Sequence, residues 1–121
     1  LHCTANYPIE DNEVNLSVIN TFKKNFNILV GYSDHSIGVG AAPYAIPMGV
    51  KVLEKHFTLD RTLSGPDHAA SLEPNKLKAM VSAIRNVEKS MGDGKLGYIE
   101  KEVPIAENLR QHLPWEASDF K

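Results

Sequence analysis

Ile28-Leu29-Val30-Gly31-Tyr32 runs apolar for the length of a strand and stops at the polar cluster Ser33-Asp34-His35-Ser36. A short continuous apolar run that ends this way is the pattern of a parallel strand covered on both faces. Val50-Lys51-Val52-Leu53-Glu54-Lys55-His56-Phe57 reads as the next strand, with its charges crowded toward its C-terminal end. That end is where sites on parallel sheets sit. Between the two, Gly38 to Met48 is small and apolar; Pro43 suits a first helical turn and Gly49 closes the segment.

Outward from this centre the period changes to that of helices. Upstream, Asp11 or Asn12 is placed to cap a helix carrying Leu16, Ile19, Phe22 and Phe26 near one face, fading around Asn25 to Asn27. Downstream, Pro74 to Met91 places Leu77, Met80, Val81, Ile84, Val87 and Met91 at helical spacing before Gly92 stops it. Tyr98 to Lys121 shows no sustained period and reads as a linker or terminal arm. The alternation predicts an α/β fold of about three strand–helix units with right-handed crossovers. Three units close nothing, whereas a (β/α)8 barrel takes about 250 residues. The chain is expected either to be part of a larger barrel or to complete itself with a partner.

Composition narrows the function classes. The 121 residues carry 13 Lys+Arg against 15 Asp+Glu, a net charge of -2 that argues against a phosphate-tracking nucleic-acid module. No apolar run approaches the roughly 20 residues that span a bilayer, so neither nucleic acid nor membrane is expected as a partner. A hydrophobic share of 42% is enough for a core. Cys3 is the only cysteine, which fits a reducing compartment and leads to a cytoplasmic expectation. The opening Leu1-His2-Cys3-Thr4 lacks the basic leader and apolar stretch of a signal peptide and reads as a chain entered part-way.

Polar residues gather at the two strand ends. Ser33 and His35 lie two apart and share a face if the extended geometry persists, as do Glu54, His56 and Thr58. Neighbouring strands lie about 4.8 Å apart, close enough for His35 and His56 to hold one metal ion between them. Asp34 is then a candidate to orient a ligand imidazole. A histidine at a strand end is more often a hydrogen-bonded rim residue, and spacing does not decide for the metal. The segment Thr58 to Ser71, rich in Gly, Pro, Ser and Asp, is longer than most connections and is a functional candidate. Within it, Gly65-Pro66-Asp67-His68 reads by itself more readily as a plain turn, with Asp67 making a local backbone bond. Lys51, Lys55, Asp60 and Arg61 read as solvated or paired charges, the methionines of the long helix as core, and Tyr7 before Pro8 as loop packing.

Gly31-Tyr32-Ser33-Asp34-His35-Ser36, then Glu54-Lys55-His56-Phe57-Thr58-Leu59-Asp60-Arg61, then Gly65 to Pro74, with Leu1-His2-Cys3-Thr4 and Tyr7-Pro8 ahead of them, resembles the N-acetylneuraminate (sialic acid) synthase family over about Leu1 to Lys95. The resemblance implies that residues 1–97 are the C-terminal part, about three β/α units, of a (β/α)8 TIM-type barrel. In that family the barrel condenses phosphoenolpyruvate with an N-acetylated hexose of the N-acetylmannosamine type, giving a nine-carbon acidic sugar and phosphate. It implies His35 and His56 as ligands of a divalent ion, usually manganese (Mn2+), with open positions for water and the acceptor aldehyde oxygen. It implies Ser33 as a contact to the phosphate of phosphoenolpyruvate, and Tyr7 and Asp67 as residues against the acceptor sugar. Asp67 would hydrogen-bond sugar hydroxyls or assist proton transfer. The implied reaction is attack of the enol carbon C3 on the aldehyde, water addition at C2, and loss of phosphate with C–O cleavage.

The resemblance has limits. An asparagine that helps bind phosphoenolpyruvate in some members is Ala5 here, with Asn6 beside it. The family's C-terminal antifreeze-like domain, which reaches into the partner subunit of a homodimer, has no counterpart in residues 98–121. Nor do the 121 residues include the five earlier units with their phosphate-binding lysines and catalytic glutamate, so the isolated chain is expected to be inactive. Synthases of legionaminate, pseudaminate or spore-coat polysaccharide are alternatives within the family, Gly65-Pro66-Asp67-His68 favouring the neuraminate and legionaminate branches. A non-catalytic remnant that binds metal or pairs with a complementary half-barrel is the alternative of another class.

Overall fold

The alternation of Tyr32 and Ser33 sorts the sheet into two unlike faces. In the computed structural model, which describes residues 1–97 and 99–110, β1 (His2–Cys3), β2 (Gly31–Asp34) and β3 (Val52–Lys55) form a parallel sheet in the order β1-β2-β3. The register aligns His2 with Tyr32 and Tyr32 with Leu53, and in the next row Cys3 with Ser33 and Ser33 with Glu54. Successive side chains of a strand point to opposite faces. The first row therefore meets the helices. Tyr32 and Leu53 pack with Ile19 of α1 (Val18–Asn25) and Ala45 of α2 (Ala42–Ala45). Leu53 also meets Met80 of α3 (Pro74–Ser90), beside Leu72 and Ala42. Tyr32, Ile19 and Leu72 are fully buried, each contributing about 1.5–3 kcal/mol by leaving water. The Cys3–Ser33–Glu54 row lies on the other face and joins neither cluster.

Both strands sit further along the chain or are shorter than the sequence predicts. β2 spans 31–34 rather than 28–32, and Ile28 and Leu29 are 63% and 81% exposed. They precede the region where β1 and β3 supply partners, so they are not covered on two faces. β3 spans 52–55 rather than 50–57, because the Val50 amide bonds back to Ala45 and Phe57 leaves to bridge Leu72.

The first helix begins later than a cap at Asp11 or Asn12 would place it. Residues Asp11–Glu13 form a separate 3-10 turn and Asn15 takes a positive φ of 47°, which breaks helical continuity; α1 follows Ser17. Pro43 does occupy the first turn of α2, though this helix is only four residues long. α3 runs from Pro74 as expected, with Gly92 at φ 60° just past its end. Within the segment without a period, a 3-10 turn at Glu100–Glu102 leads into α4 (Val103–Arg110), which exposes Val103, Ile105 and Leu109. The rest of the expected arm, Tyr98 and residues 111–121, lies outside the described residues. Among the described residues no helix is long and apolar enough to cross a membrane.

One glycine is required by the turn after β2. Gly40 has φ 57°, and a Cβ there would stand 2.0 Å from Ser36 Oγ and 3.1 Å from Asp34 Oδ2. The left-handed conformation alone costs a side chain about 1–2 kcal/mol. Gly40→Ala is therefore expected to destabilise the protein by about 2 kcal/mol or more in urea unfolding; an unchanged midpoint would show that this turn is not held as described.

Candidate active site

The ends of β2 and β3 and the turn at Tyr7 bring three rings together on the face away from the helices. The His35 and His56 ring centroids are 5.2 Å apart at 77°. Tyr7 stacks on His56 at 4.1 Å and meets His35 edge-on at 5.1 Å. Asp34 pairs with Lys55 in the register, so the next residue of each chain segment is a histidine at matching height. This is why two motifs separated by twenty residues meet.

Each imidazole is oriented through one nitrogen. His35 Nδ1 lies 2.9 Å from the Asn6 carbonyl oxygen; a carbonyl only accepts, so Nδ1 carries the proton and Nε2 keeps its lone pair. His56 Nδ1 faces Asp67 Oδ2 at 3.6 Å. Nδ1 directed at an oxygen, with Nε2 left over, is how metal-binding histidines are commonly held. Imidazole nitrogens suit divalent first-row ions such as iron, nickel, copper or zinc, whereas manganese favours oxygen donors and would take two imidazoles together with carboxylate, carbonyl or water oxygens. Among the described residues no cluster of three or more His, Cys, Asp or Glu forms a fuller ligand set. The Cys3 thiol stands 3.8 Å from His35 Nε2.

The other expected site residues divide. Tyr7 and Asp67 do join the histidines, the Tyr7 hydroxyl lying 3.2 Å from Ser71 Oγ and 3.5 Å from the Asp67 carbonyl oxygen. The Asp67 side chain is 55% exposed and free to meet a ligand. Ser33 lies one row below, and its hydroxyl donates to Glu54 at 2.6 Å. A phosphate at Ser33 would have to displace Glu54 from that bond. Asp34 does not touch an imidazole, contrary to the expectation. Its carboxylate is fully buried on the helix side, accepting from the Tyr32 hydroxyl (2.9 Å), the Ser36 amide and hydroxyl (2.9 and 2.6 Å) and the Ala42 amide (3.1 Å), and pairing with Lys55 at 3.0 Å. Strand alternation sends residue 34 to the face opposite residue 35, and the Asn6 carbonyl takes the orienting position. Burial, and then the Asp34 carboxylate, push the Tyr32 hydroxyl well above its ordinary range, so it stays a donor.

The loop after β3 is ordered by its own bonds. Thr58 Oγ1 lies 2.7 Å from His68 Nδ1, Arg61 donates to the Ala69 carbonyl, and the Asp67 carbonyl accepts from Ser71 Oγ at 2.7 Å. Side-chain and backbone hydrogen bonds from Thr62 hold the Asp60 carboxyl below its ordinary value. That contribution to loop order is present above the ordinary carboxylate range and is lost as pH falls through the depressed value.

Glu54 and Asn6 were not singled out by the sequence as site residues. Glu54 carried a signal, since it shares a parity with His56; the Asn6 contact is made by a backbone carbonyl and carried none. Together these features define an α/β protein whose parallel strands present two imidazoles, a tyrosine and a carboxylate at their C-terminal ends. The chain belongs to the NeuB family, whose model matches residues 1–96. It is 52% identical over 94 residues to the N,N'-diacetyllegionaminic acid synthase of Campylobacter jejuni, covering 78% of this chain and 28% of that protein. The corresponding synthase of Legionella pneumophila is 42% identical over 113 residues, covering 93% and 32%. The solved N-acetylneuraminic acid (sialic acid) synthetase of Leptospira borgpetersenii superposes with a TM-score of 0.78 at 37% identity, over 95% of this chain and 40% of that one. The chain thus spans about a third of the curated relatives it matches.

Proposed function

We propose that this chain forms the last three β/α units of a (β/α)8 barrel that condenses phosphoenolpyruvate with an N-acetylated hexose of the N-acetylmannosamine type, as a cytoplasmic, homodimeric synthase. The observation that carries the reading is the meeting of His35, His56, Tyr7 and Asp67 at the C-terminal ends of the strands, in a family whose named relatives make sialic-acid-like sugars. The barrel is supported by α1, α2 and α3 packing on one face of the sheet. It is supported too by the outer edge of β3, which has no strand partner among the described residues and leaves Val52 55% exposed.

In this reading His35 and His56 hold a divalent ion, manganese or a similar metal, through their Nε2 atoms. When bound, such an ion supplies Lewis-acid polarisation of the acceptor aldehyde. Tyr7 and Asp67 flank that position and hold sugar hydroxyls, with Asp67 also placed to take or give a proton. Ser33 reaches the phosphate of phosphoenolpyruvate once Glu54 yields its hydrogen bond. No lysine or arginine of the described residues joins these groups, and Glu54 and Asp67 add negative charge beside a trianionic substrate. The 121 residues alone are therefore expected not to release phosphate from phosphoenolpyruvate.

The test is manganese-dependent phosphate release by these residues joined to the five earlier β/α units of the proposed barrel, hereafter the full chain, given phosphoenolpyruvate and a panel of N-acetylated hexoses. Release that requires both metal and one acceptor supports the reading; release independent of any acceptor contradicts it. The identity to diacetyllegionaminic acid synthases favours, as a second reading, an acceptor of that branch. The panel includes it. Asp67→Asn keeps a side-chain oxygen to face His56 Nδ1, so manganese is expected to stay bound with at most the roughly tenfold weakening of a disturbed ligand partner, while kcat/KM for the acceptor falls about 100-fold for want of a positioned proton-transfer group. Loss of metal in that variant would move Asp67 into the ligand set.

A further inference from the structure

Asp34 and Lys55 face each other in the register of β2 and β3, and each immediately precedes a site histidine. Their side chains are 0% and 3% exposed. A buried ion pair adds little net stability over apolar packing of the same volume, because both charges lose their water. What this pair fixes is geometry. Lys55 Nζ lies 3.0 Å from Asp34 Oδ2 and also donates to the Ser36 carbonyl, while Asp34 Oδ1 accepts from the Ser36 amide. The residues on both sides of His35 are therefore held by the pair, and the His35 carbonyl accepts from the Ile9 amide at 3.1 Å. On the other strand His56 follows Lys55 directly, and its carbonyl accepts from the Leu72 amide at 3.0 Å. The backbone on either side of both rings, whose centroids are 5.2 Å apart, is thus tied to contacts on the opposite face of the sheet.

We propose that the Asp34–Lys55 pair is a positioning clamp that sets the separation of His35 and His56, so that breaking it weakens the hold on a divalent cation without removing a ligand. This rests on the reading of the two histidines as metal ligands. Binding constellations need their groups within about 0.5 Å of the productive geometry, and loss of supporting contacts behind metal ligands commonly weakens affinity 10–100-fold.

The test uses Lys55→Met in the full chain, with Mn2+ affinity read from the paramagnetic resonance of the free ion and folding from circular dichroism. The expected result is a folded protein that binds Mn2+ at least about tenfold more weakly. Its metal-free crystal structure should show ring centroids displaced from 5.2 Å. Met80→Ala is the control: it empties a buried position of α3, lowers stability, and should leave Mn2+ affinity unchanged. Should Lys55→Met fail to fold, the double variant Asp34→Asn/Lys55→Gln, which leaves no buried charge, is read in the same way. Unchanged affinity in the folded variant, or an equal loss in Met80→Ala, overturns the clamp. His56→Ala separates the two levels. If the unmodified protein binds Mn2+ no better than His56→Ala does, the metal reading has failed; if only His56→Ala loses the ion, that reading stands and the clamp alone is wrong.

Discussion

Replacing His56 with alanine is expected to weaken Mn2+ binding by the full chain at least about 100-fold and to take turnover down with it. His56 is one of two imidazoles at the site, and among the described residues no fuller His, Cys, Asp or Glu cluster stands ready to replace it. Disturbing only the partners behind a ligand commonly costs 10–100-fold in metal affinity, so removing the ligand itself should cost no less. The substitution also removes the ring on which Tyr7 stacks at 4.1 Å, so acceptor binding suffers with the metal. Calorimetric titration with Mn2+ and steady-state rates check the two effects separately. Unchanged affinity with unchanged turnover would end the assignment of His56 as a ligand.

Asp34→Ala should unfold the protein far more easily, with an expected loss of about 3–5 kcal/mol. The carboxylate serves five groups at once: the Tyr32 hydroxyl, the Ser36 amide and hydroxyl, the Ala42 amide and the Lys55 ammonium. Alanine would leave a buried cation without its counter-charge and several donors without an acceptor. Against a typical domain stability of about 5–15 kcal/mol, that is a large fraction. Urea denaturation measures it, and adding Lys55→Met should recover part of the loss, because the unpaired charge is then gone. If the double variant were less stable by the sum of the two single losses, the two residues would not be acting as a pair.

Much of this was legible in the chain. Ile28 to Tyr32 announces a buried strand, Pro74 to Met91 an amphipathic helix, and the parity of 33/35 and 54/56 places the histidines on one face. Strand limits were not, because pairing depends on where neighbours begin and end: Ile28 and Leu29 look like strand and lie outside the paired region. The start of α1 was hidden by Asn15, whose left-handed backbone no hydrophobic pattern reports. Asp34 was legible as important and misread in direction. Its proximity to His35 in the chain suggested contact, whereas strand alternation turns it to the far side, where Lys55 waits. Lys55 itself read as an ordinary charge; only the three-dimensional register shows that it is buried. The Asn6 carbonyl against His35 could not be read at all, since a backbone contact leaves no trace in residue identity.

The most direct test of the central claim is the mass of what the full chain makes from phosphoenolpyruvate, Mn2+ and N-acetylmannosamine or a diacetylated hexose of the legionaminate branch. The account predicts a new nine-carbon acid joined through C3 of phosphoenolpyruvate, formed in equal amount with inorganic phosphate and absent without metal. Pyruvate and phosphate with no joined product, or no reaction with any acceptor while Mn2+ still binds at His35 and His56, would contradict it.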